Sequence, residues 1–172
     1  MIKREIYMQR IRPFMNTDLI KVFTGIRRAG KSVMLELVKN ELKESGINEE
    51  NFLCINFEQF SNSQYLDVQS LYKKIVDFQK NTKGKIYLFF DEIQEVDGWE
   101  KCVNSCRIDF DCDIYITGSN AKLLSGELAT YLAGRYVEFV IYPFSFAEFF
   151  EMNRLKNPNV DKNSCFMQFL KS

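Results

Sequence analysis

The segment that most constrains this chain is residues 25–32, which read GIRRAGKS. The segment fits the pattern Gly-x4-Gly-Lys-Ser/Thr, in which glycines allow a tight turn and backbone N–H groups surround an anion. A strand-forming run from Leu19 to Thr24 precedes it, and a helical pattern from Ser32 to Leu42 follows. Strand, glycine loop and helix in this order predict a phosphate-binding loop.

Each part of the loop has a predicted task. Lys31 can reach the β- and γ-phosphates as a mobile charge, and Ser32 can place its hydroxyl on Mg²⁺. Arg27 and Arg28 could contact phosphate or a neighbouring subunit, or they could be solvated loop arginines. The predicted nucleotide-binding residues are Gly25, Ile26, Arg27, Arg28, Ala29, Gly30, Lys31, Ser32 and Val33.

A second signal lies about 60 residues later, where the apolar run from Ile86 to Phe90 ends at Asp91 and Glu92. A run that is apolar on both faces indicates a buried strand of a parallel sheet. We expect Asp91 to hold Mg²⁺ and Glu92 to activate the attacking water. The chain contains no histidine, so a carboxylate must be the base, and Glu95 is the rival candidate. Asn56, near the end of the second strand, could hold Glu92 in an inactive rotamer.

The rest of the chain alternates between strand and helix patterns. Strands are predicted at residues 19–24, 52–57, 86–90, 113–117 and 136–142. Helices are predicted at residues 32–42, 63–80, 99–106, 121–132 and 146–152, and another begins near residue 165. Asp97 is a plausible cap for the third of these helices. This alternation predicts an α/β fold with a parallel sheet and right-handed crossovers.

Composition excludes several classes of protein. Lysine plus arginine and aspartate plus glutamate both number 23, so no dominant attraction to nucleic acid is expected. A basic patch at Lys3, Arg4, Arg10 and Arg12 is interpreted as a solvated face. The first residues lack the apolar core of a secretory signal, and no apolar run is long enough to span a membrane. A phosphate loop belongs with cytosolic ATP, where thiols stay reduced, so we expect a cytoplasmic protein.

The five cysteines do not indicate a metal site. Cys102 and Cys106 would share one face of a helix, and Cys112 follows, but the paired spacing of zinc ribbons is missing. Buried, unreactive cysteines are expected instead, and no zinc is predicted.

Four stretches together resemble one family: GIRRAGKS, IYLFFDEIQ, DIYITGSNAKLLS and LAGRYVEFVIYPFSFAEFF. They are similar to prokaryotic AAA-type P-loop ATPases whose longer members continue into a winged-helix segment and a C-terminal domain of nuclease-like fold. The resemblance implies an α/β three-layer sandwich with a five-stranded parallel sheet in the order 5-1-4-3-2. It implies an ATP-binding domain over residues 1–155, with a polar loop and the start of a truncated lid over residues 156–172.

Polar residues after the fourth predicted strand would project toward the γ-phosphate if the sheet is parallel, and the resemblance gives them a role. Ser119 and Asn120 match the first sensor position, which contacts the γ-phosphate or the attacking water. Arg135 matches an arginine that can act on the nucleotide of a neighbouring subunit, which implies a possible homo-oligomer. The alternative for Arg135 is a surface pair with an acidic neighbour such as Glu138. Any nucleic-acid contact would involve regions outside this chain.

Three functions are compatible with these residues. The favoured one is a Mg²⁺-dependent ATPase in which Lys31, Glu92, Ser119, Asn120 and Arg135 act on the γ-phosphate. ATP is favoured over GTP because no guanine-reading Asn/Thr-Lys-x-Asp motif is present. A slowly hydrolysing switch that controls a partner or attached domain is the alternative. A small-molecule kinase is less favoured, because no sequence feature corresponds to an acceptor pocket.

Overall fold

The fold was analysed in a computed structural model that describes residues 3–118 and 132–171. Its strands are β1 (Ile20–Thr24), β2 (Phe52–Asn56), β3 (Ile86–Asp91), β4 (Cys112–Thr117) and β5 (Tyr136–Val140). Its helices are α1 (Glu5–Ile11), α2 (Lys31–Glu44), α3 (Val68–Asn81), α4 (Trp99–Asp109), α5 (Phe146–Lys156) and α6 (Lys162–Phe169). The predicted helix at 121–132, except its last residue, and the sensor residues Ser119 and Asn120 lie outside the described part.

All five strands are parallel and form one sheet in the order β2-β3-β4-β1-β5. This order confirms the α/β fold class and the predicted arrangement 5-1-4-3-2. β3 and β4 are buried along their whole length, as expected for central strands covered on both faces. The carboxyl ends of all the strands therefore lie along one edge of the sheet.

Helices cover both faces of the sheet and give the predicted three layers. On one face α1 and α2 pack against the sheet, with Met8, Met34 and Val38 in the core. On the other face α3 and α4 contribute Leu71 and Val103 to a second core. Val33 lies in the first turn of α2 and is 38% exposed, on the side that faces the candidate site.

Two helix starts differ from the prediction. Residues 63–80 were predicted as one helix, but a short 3₁₀ helix (Phe60–Tyr65) comes first and α3 begins at Val68. The Asp67 carboxylate accepts a hydrogen bond from the Ser70 N–H and fixes that start. Asp97 does not cap α4; Gly98, with φ of 75°, occupies that position.

The C-terminal elements also differ in their limits. β5 was predicted to reach Tyr142 but ends at Val140, where the chain bends past the phosphate loop. The Ile141 N–H donates to the Thr24 carbonyl at 2.7 Å. α6 begins at Lys162, before the predicted Cys165, because the Asp161 carboxylate accepts from the Ser164 N–H at 2.8 Å.

The interpretation of the N-terminal arginines as solvated is wrong for Arg4. Only 2% of Arg4 is exposed, and its backbone has φ of 45°, a left-handed conformation that is costly for a residue other than glycine. Arg12 is partly exposed and forms ion pairs with Glu5 and Glu41. Arg4 is therefore a buried residue of the fold and not part of a solvated basic face.

Cys102, Cys106 and Cys112 are buried and free, as predicted. The hydrogen bond with Cys102, and then burial, raise the pKa of the Cys106 thiol, so it stays protonated. The described residues contain no cluster of three or more potential metal-binding His, Cys, Asp or Glu side chains. Among the described helices, none is both long and apolar enough to cross a membrane.

A buried ion pair joins β1 to β4 at the amino edge of the sheet. Lys21 and Asp113 have no exposed side-chain area, and the Lys21 ammonium donates to the Asp113 carboxylate. The same carboxylate accepts from the Asn16 N–H at 2.8 Å and from the Tyr115 hydroxyl at 2.7 Å. Burial lowers the pKa of Lys21, although Asp113 opposes that shift. The pair holds together the two strands that lead to the candidate site.

We predict that Asp113→Ala lowers the free energy of unfolding by about 3–5 kcal/mol, because it leaves the Lys21 charge buried without a partner. Asp111→Ala is the matched control: Asp111 is exposed and pairs with Lys85 at 3.6 Å, so its loss should cost under about 1 kcal/mol. Urea denaturation of both variants measures the difference, and equal losses would contradict the role given to this pair.

Candidate nucleotide-binding site

The phosphate loop connects β1, which ends at Thr24, to α2, which begins at Lys31. Gly30 has φ of 94°, a conformation that glycine adopts easily. Gly25 is required for a different reason, because an added Cβ would lie 2.2 Å from the Ile141 carbonyl oxygen. The first glycine therefore makes room for the chain that leaves β5. Arg27 and Arg28 are exposed, and Arg28 has φ of 64°.

Lys31 lies across the loop with only 5% of its side chain exposed. Its ammonium is 3.3 Å from the Gly25 carbonyl oxygen and 3.4 Å from the Ile26 carbonyl oxygen. It is also 3.4 Å from Oε1 of Glu92. The cation of the loop and the carboxylate that follows β3 therefore meet at one point.

The ends of three neighbouring strands converge on Asp91. The Thr117 hydroxyl, at the end of β4, donates to Oδ1 of Asp91 at 2.5 Å. The Asn56 side-chain amide, at the end of β2, donates to Oδ2 at 2.9 Å. Both carboxylate oxygens therefore have fixed partners, which orient Asp91 toward the groove beside the loop.

Glu92 has φ of 55°, so its backbone leaves the strand direction directly after Asp91. Its N–H donates to the Thr117 hydroxyl at 2.9 Å, and its Oε2 accepts from the Gln94 side chain at 2.7 Å. The suggestion that Asn56 holds Glu92 is wrong for this structure: Asn56 holds Asp91, and Gln94 holds Glu92. Glu95, the rival base, is exposed.

A groove of about 360 Å³ opens between α2 and the edge strand β2, beside these residues. Ser32 and Asp91 both line it, together with Val33, Asn56 and Gln59. A hydroxyl, a carboxylate and space for water match the oxygen ligands of Mg²⁺. The donor set therefore fits the predicted ion.

Arg135 lies far from the loop of its own chain. It precedes β5, and its carbonyl accepts from the Ile20 N–H at 3.0 Å, at the amino edge of the sheet. Its guanidinium donates to the Asn104 side chain at 3.2 Å. β1 separates Ile20 from Thr24 by roughly 13 Å, so Arg135 and the phosphate loop occupy opposite edges.

Sequence analysis missed Thr117 and Gln94. In the sequence, Thr117 resembles any other strand residue. The one feature that could have indicated its role is that it is a polar residue at the end of an apolar strand. No sequence pattern indicated Gln94, because its side chain contacts Glu92 only as a result of the backbone turn at Glu92. Its Oε1 is buried and has no hydrogen-bond partner within the described residues, so it can accept a hydrogen bond from water in the site.

Comparison with known proteins identifies the family of this chain. Residues 17–150 match the AAA domain family. The chain belongs to this family. The loop, the carboxylates of Asp91 and Glu92, and all five strands lie within the matched residues of this AAA domain.

Two curated relatives are similar to most of this AAA domain. A Haemophilus influenzae protein is 50% identical over 164 residues, and a Methanocaldococcus jannaschii protein is 41% identical over 146 residues. Both are described as uncharacterized. The alignments cover 95% and 83% of this chain but only 40% and 30% of the relatives. The chain thus spans less than half the length of either relative.

Solved structures share the fold of this AAA domain. AMPPCP-bound DnaA from Aquifex aeolicus is similar over 93% of this chain and 52% of its own, with a TM-score of 0.59 and 17% identity. The Aeropyrum pernix ORC1 protein in complex with DNA is similar over 91% of this chain and 50% of its own, with a TM-score of 0.60 and 15% identity. These low identities make the likeness one of fold.

We predict that Thr117→Val weakens Mg²⁺-dependent nucleotide binding about 10- to 100-fold, the usual effect of losing a partner of a metal ligand. Valine keeps the shape of the strand but cannot orient Asp91. Thr17→Val is the control, because its hydroxyl donates to the Phe14 carbonyl at 2.7 Å, before the start of β1. Titration of Mg²⁺ in the presence of ADP measures the effect, and equal affinity in both variants would contradict it.

Proposed function

We propose that this AAA domain binds ATP with Mg²⁺ and hydrolyses it. The observation that carries the proposal is the 3.4 Å approach of Lys31 to Glu92, beside the carboxylate of Asp91. Phosphoryl transfer requires positioned charges more than covalent chemistry, and these groups supply them. ATP is preferred to GTP on sequence grounds alone.

In the proposed bound state, the N–H groups from Gly25 to Val33 surround the phosphates, and Lys31 moves from the loop carbonyls to the β- and γ-oxygens. Ser32 and Asp91 would hold Mg²⁺, with Asp91 acting through water. The ion would neutralise charge that develops on the phosphate oxygens.

For hydrolysis, Glu92 would orient and polarise the attacking water. Ser119 and Asn120, which come soon after β4 in the sequence, are proposed to contact that water or the γ-phosphate. We propose residues 1–155 as the ATP-binding unit and 156–172 as the start of the lid. The free cysteines and the substrate favour a cytoplasmic protein.

The proposal predicts two separable losses. Lys31→Ala should abolish ATP binding, because it removes the main cation that contacts the phosphates. Glu92→Gln should retain Mg²⁺–ATP binding and lose turnover, because it keeps the shape of the side chain but removes the base. Isothermal titration calorimetry and phosphate release measure the two effects.

Lys43→Ala is the control for the lysine, because Lys43 is in the last turn of α2 and pairs with Glu49. It should bind and turn over ATP normally. Unchanged ATP affinity of Lys31→Ala would refute the loop assignment. If Glu92→Gln turns over ATP normally, another residue is the general base, and Glu95 would be tested next.

A slowly hydrolysing switch is the second candidate, and one observation favours it. Both carboxylate oxygens of Glu92 have partners, Oε1 near Lys31 and Oε2 with Gln94. These two contacts fix the direction in which the carboxylate faces, so hydrolysis would be slow if Glu92 has to turn to reach the attacking water. Nucleotide retained through purification together with negligible steady-state turnover would favour the switch, whereas rapid turnover would favour the ATPase.

We also propose that Arg135 acts on the nucleotide of a neighbouring subunit. Its place at the amino edge keeps it from the loop of its own chain, and its contact with Asn104 holds it on α4. An arginine supplied by a neighbour can accelerate phosphoryl transfer by about 10³-fold or more. A homo-oligomer is then the active form.

The test for Arg135 mixes two inactive variants, Arg135→Ala and Glu92→Gln. In a mixed assembly some interfaces join an intact Glu92 to an intact Arg135, so ATPase activity should partly return. The control mixes Glu92→Gln with a double variant that carries both Lys31→Ala and Arg135→Ala. In that mixture no interface combines an intact Lys31 and Glu92 of one subunit with an intact Arg135 of its neighbour, so activity should not return. No recovery in a sample that sedimentation shows to be oligomeric would refute this role.

A further inference from the structure

We infer that Arg4 is a positioning residue that holds the phosphate loop in its binding conformation. The inference rests on the proposed nucleotide site. Arg4 precedes α1 and lies 25 residues before the loop residue it contacts, so no sequence motif includes it. Its burial and its unusual backbone are the observations that single it out.

The guanidinium of Arg4 joins three parts of the chain. Nη1 donates to the Ala29 carbonyl of the loop at 2.9 Å, and Nη2 donates to the Tyr142 carbonyl after β5 at 2.7 Å. Nε donates to Oε1 of Glu148, in the first turn of α5, at 2.8 Å. The side chain has no exposed area, so these bonds are shielded from water.

Neighbouring groups fix the guanidinium itself. Its carbon lies 4.6 Å from the centre of the Tyr7 ring and 5.0 Å from the centre of the Phe144 ring. Glu148 also accepts from the Ser145 N–H at 2.9 Å in a capping box, so it is anchored to α5. These hydrogen bonds outweigh the effect of burial and hold the pKa of Glu148 below its ordinary value. It is therefore ionised at neutral pH.

The contact with Ala29 has a direct consequence for phosphate binding. In a planar trans peptide the C=O and the following N–H point in opposite directions. Holding the Ala29 carbonyl toward Arg4 therefore directs the Gly30 N–H away from Arg4. Arg4 therefore fixes the Ala29–Gly30 peptide, which immediately precedes the Gly30–Lys31 peptide and the lysine proposed to contact phosphate.

Arginine is the side chain that this position requires. Three acceptors in different directions match the planar fork of a guanidinium, which offers five donors. A lysine keeps the charge but has a single nitrogen, which cannot reach all three oxygens at these distances. Gly30 also matters, because an added Cβ would lie 3.2 Å from Nη1 of Arg4.

The experiment compares Arg4→Lys with Asp113→Asn, which disturbs a buried ion pair at the opposite edge of the sheet. Both variants should melt at a lower temperature than the wild-type chain. At a temperature where circular dichroism finds both folded, Arg4→Lys should bind ATP about tenfold or more weakly, and Asp113→Asn should bind normally. The KM for ATP should rise in Arg4→Lys with little change in kcat, because the groups that act on the γ-phosphate remain.

A second variant keeps the test decisive if Arg4→Lys folds poorly. Glu148→Ala removes the anchor of the guanidinium together with half of the α5 capping box, and it should weaken ATP binding by a smaller factor. Ser145→Ala, which disturbs the capping box but keeps the Glu148 carboxylate, is its control and should bind ATP normally. In the Arg4→Lys background Glu148→Ala should weaken binding no further, because Arg4 and Glu148 act as one unit. Normal ATP affinity in both Arg4→Lys and Glu148→Ala would reduce Arg4 to a structural role. The proposed function itself fails only if Lys31→Ala also binds ATP normally.

Discussion

Parallel pairing of the central strands is the constraint on which the candidate site depends. β3 lies between β2 and β4, and the register sets Asn56 beside Asp91. Thr117 ends β4 at the same level, so its hydroxyl reaches Asp91 as well. A shift of one residue in either strand would turn these side chains to the other face of the sheet. The geometry around Asp91 is therefore a consequence of sheet register.

The phosphate loop depends on contacts from outside as well as on its own glycines. The chain leaving β5 passes so close that its Ile141 carbonyl excludes a side chain at position 25. Arg4 contacts the opposite end of the loop through Ala29, and it also contacts Tyr142. The segment after β5 therefore touches the start of the loop directly, at Gly25. It is connected to the end of the loop through Arg4, which bonds both Tyr142 and Ala29. A loop held at both ends loses little conformational entropy when it binds an anion.

Buried charges lie at both edges of the sheet but serve different purposes. At the amino edge, Asp113 accepts hydrogen bonds from Lys21, Asn16 and Tyr115, and neither side chain of the ion pair has exposed area, so the pair fixes the strands and is shielded from ligands. At the carboxyl edge, Asp91 and Ser32 border an open groove, and Lys31 contacts two carbonyl oxygens at the long distances of 3.3 and 3.4 Å. Contacts at these distances are weak, as the proposed exchange for phosphate oxygens requires.

The sequence by itself determined the fold class, the strand order implied by family resemblance, the loop at 25–32 and the carboxylates at 91 and 92. Each of these depends on residues close together in the chain: a glycine spacing, an apolar run, or a polar pair directly after a strand. Tertiary structure alone decided the partners of those groups. Thr117 lies 26 residues from Asp91, and Arg4 lies 144 residues from Glu148. Local patterns report periodicity and turns, whereas such contacts exist only after the sheet register and the packing of α1 and α5 bring distant segments together.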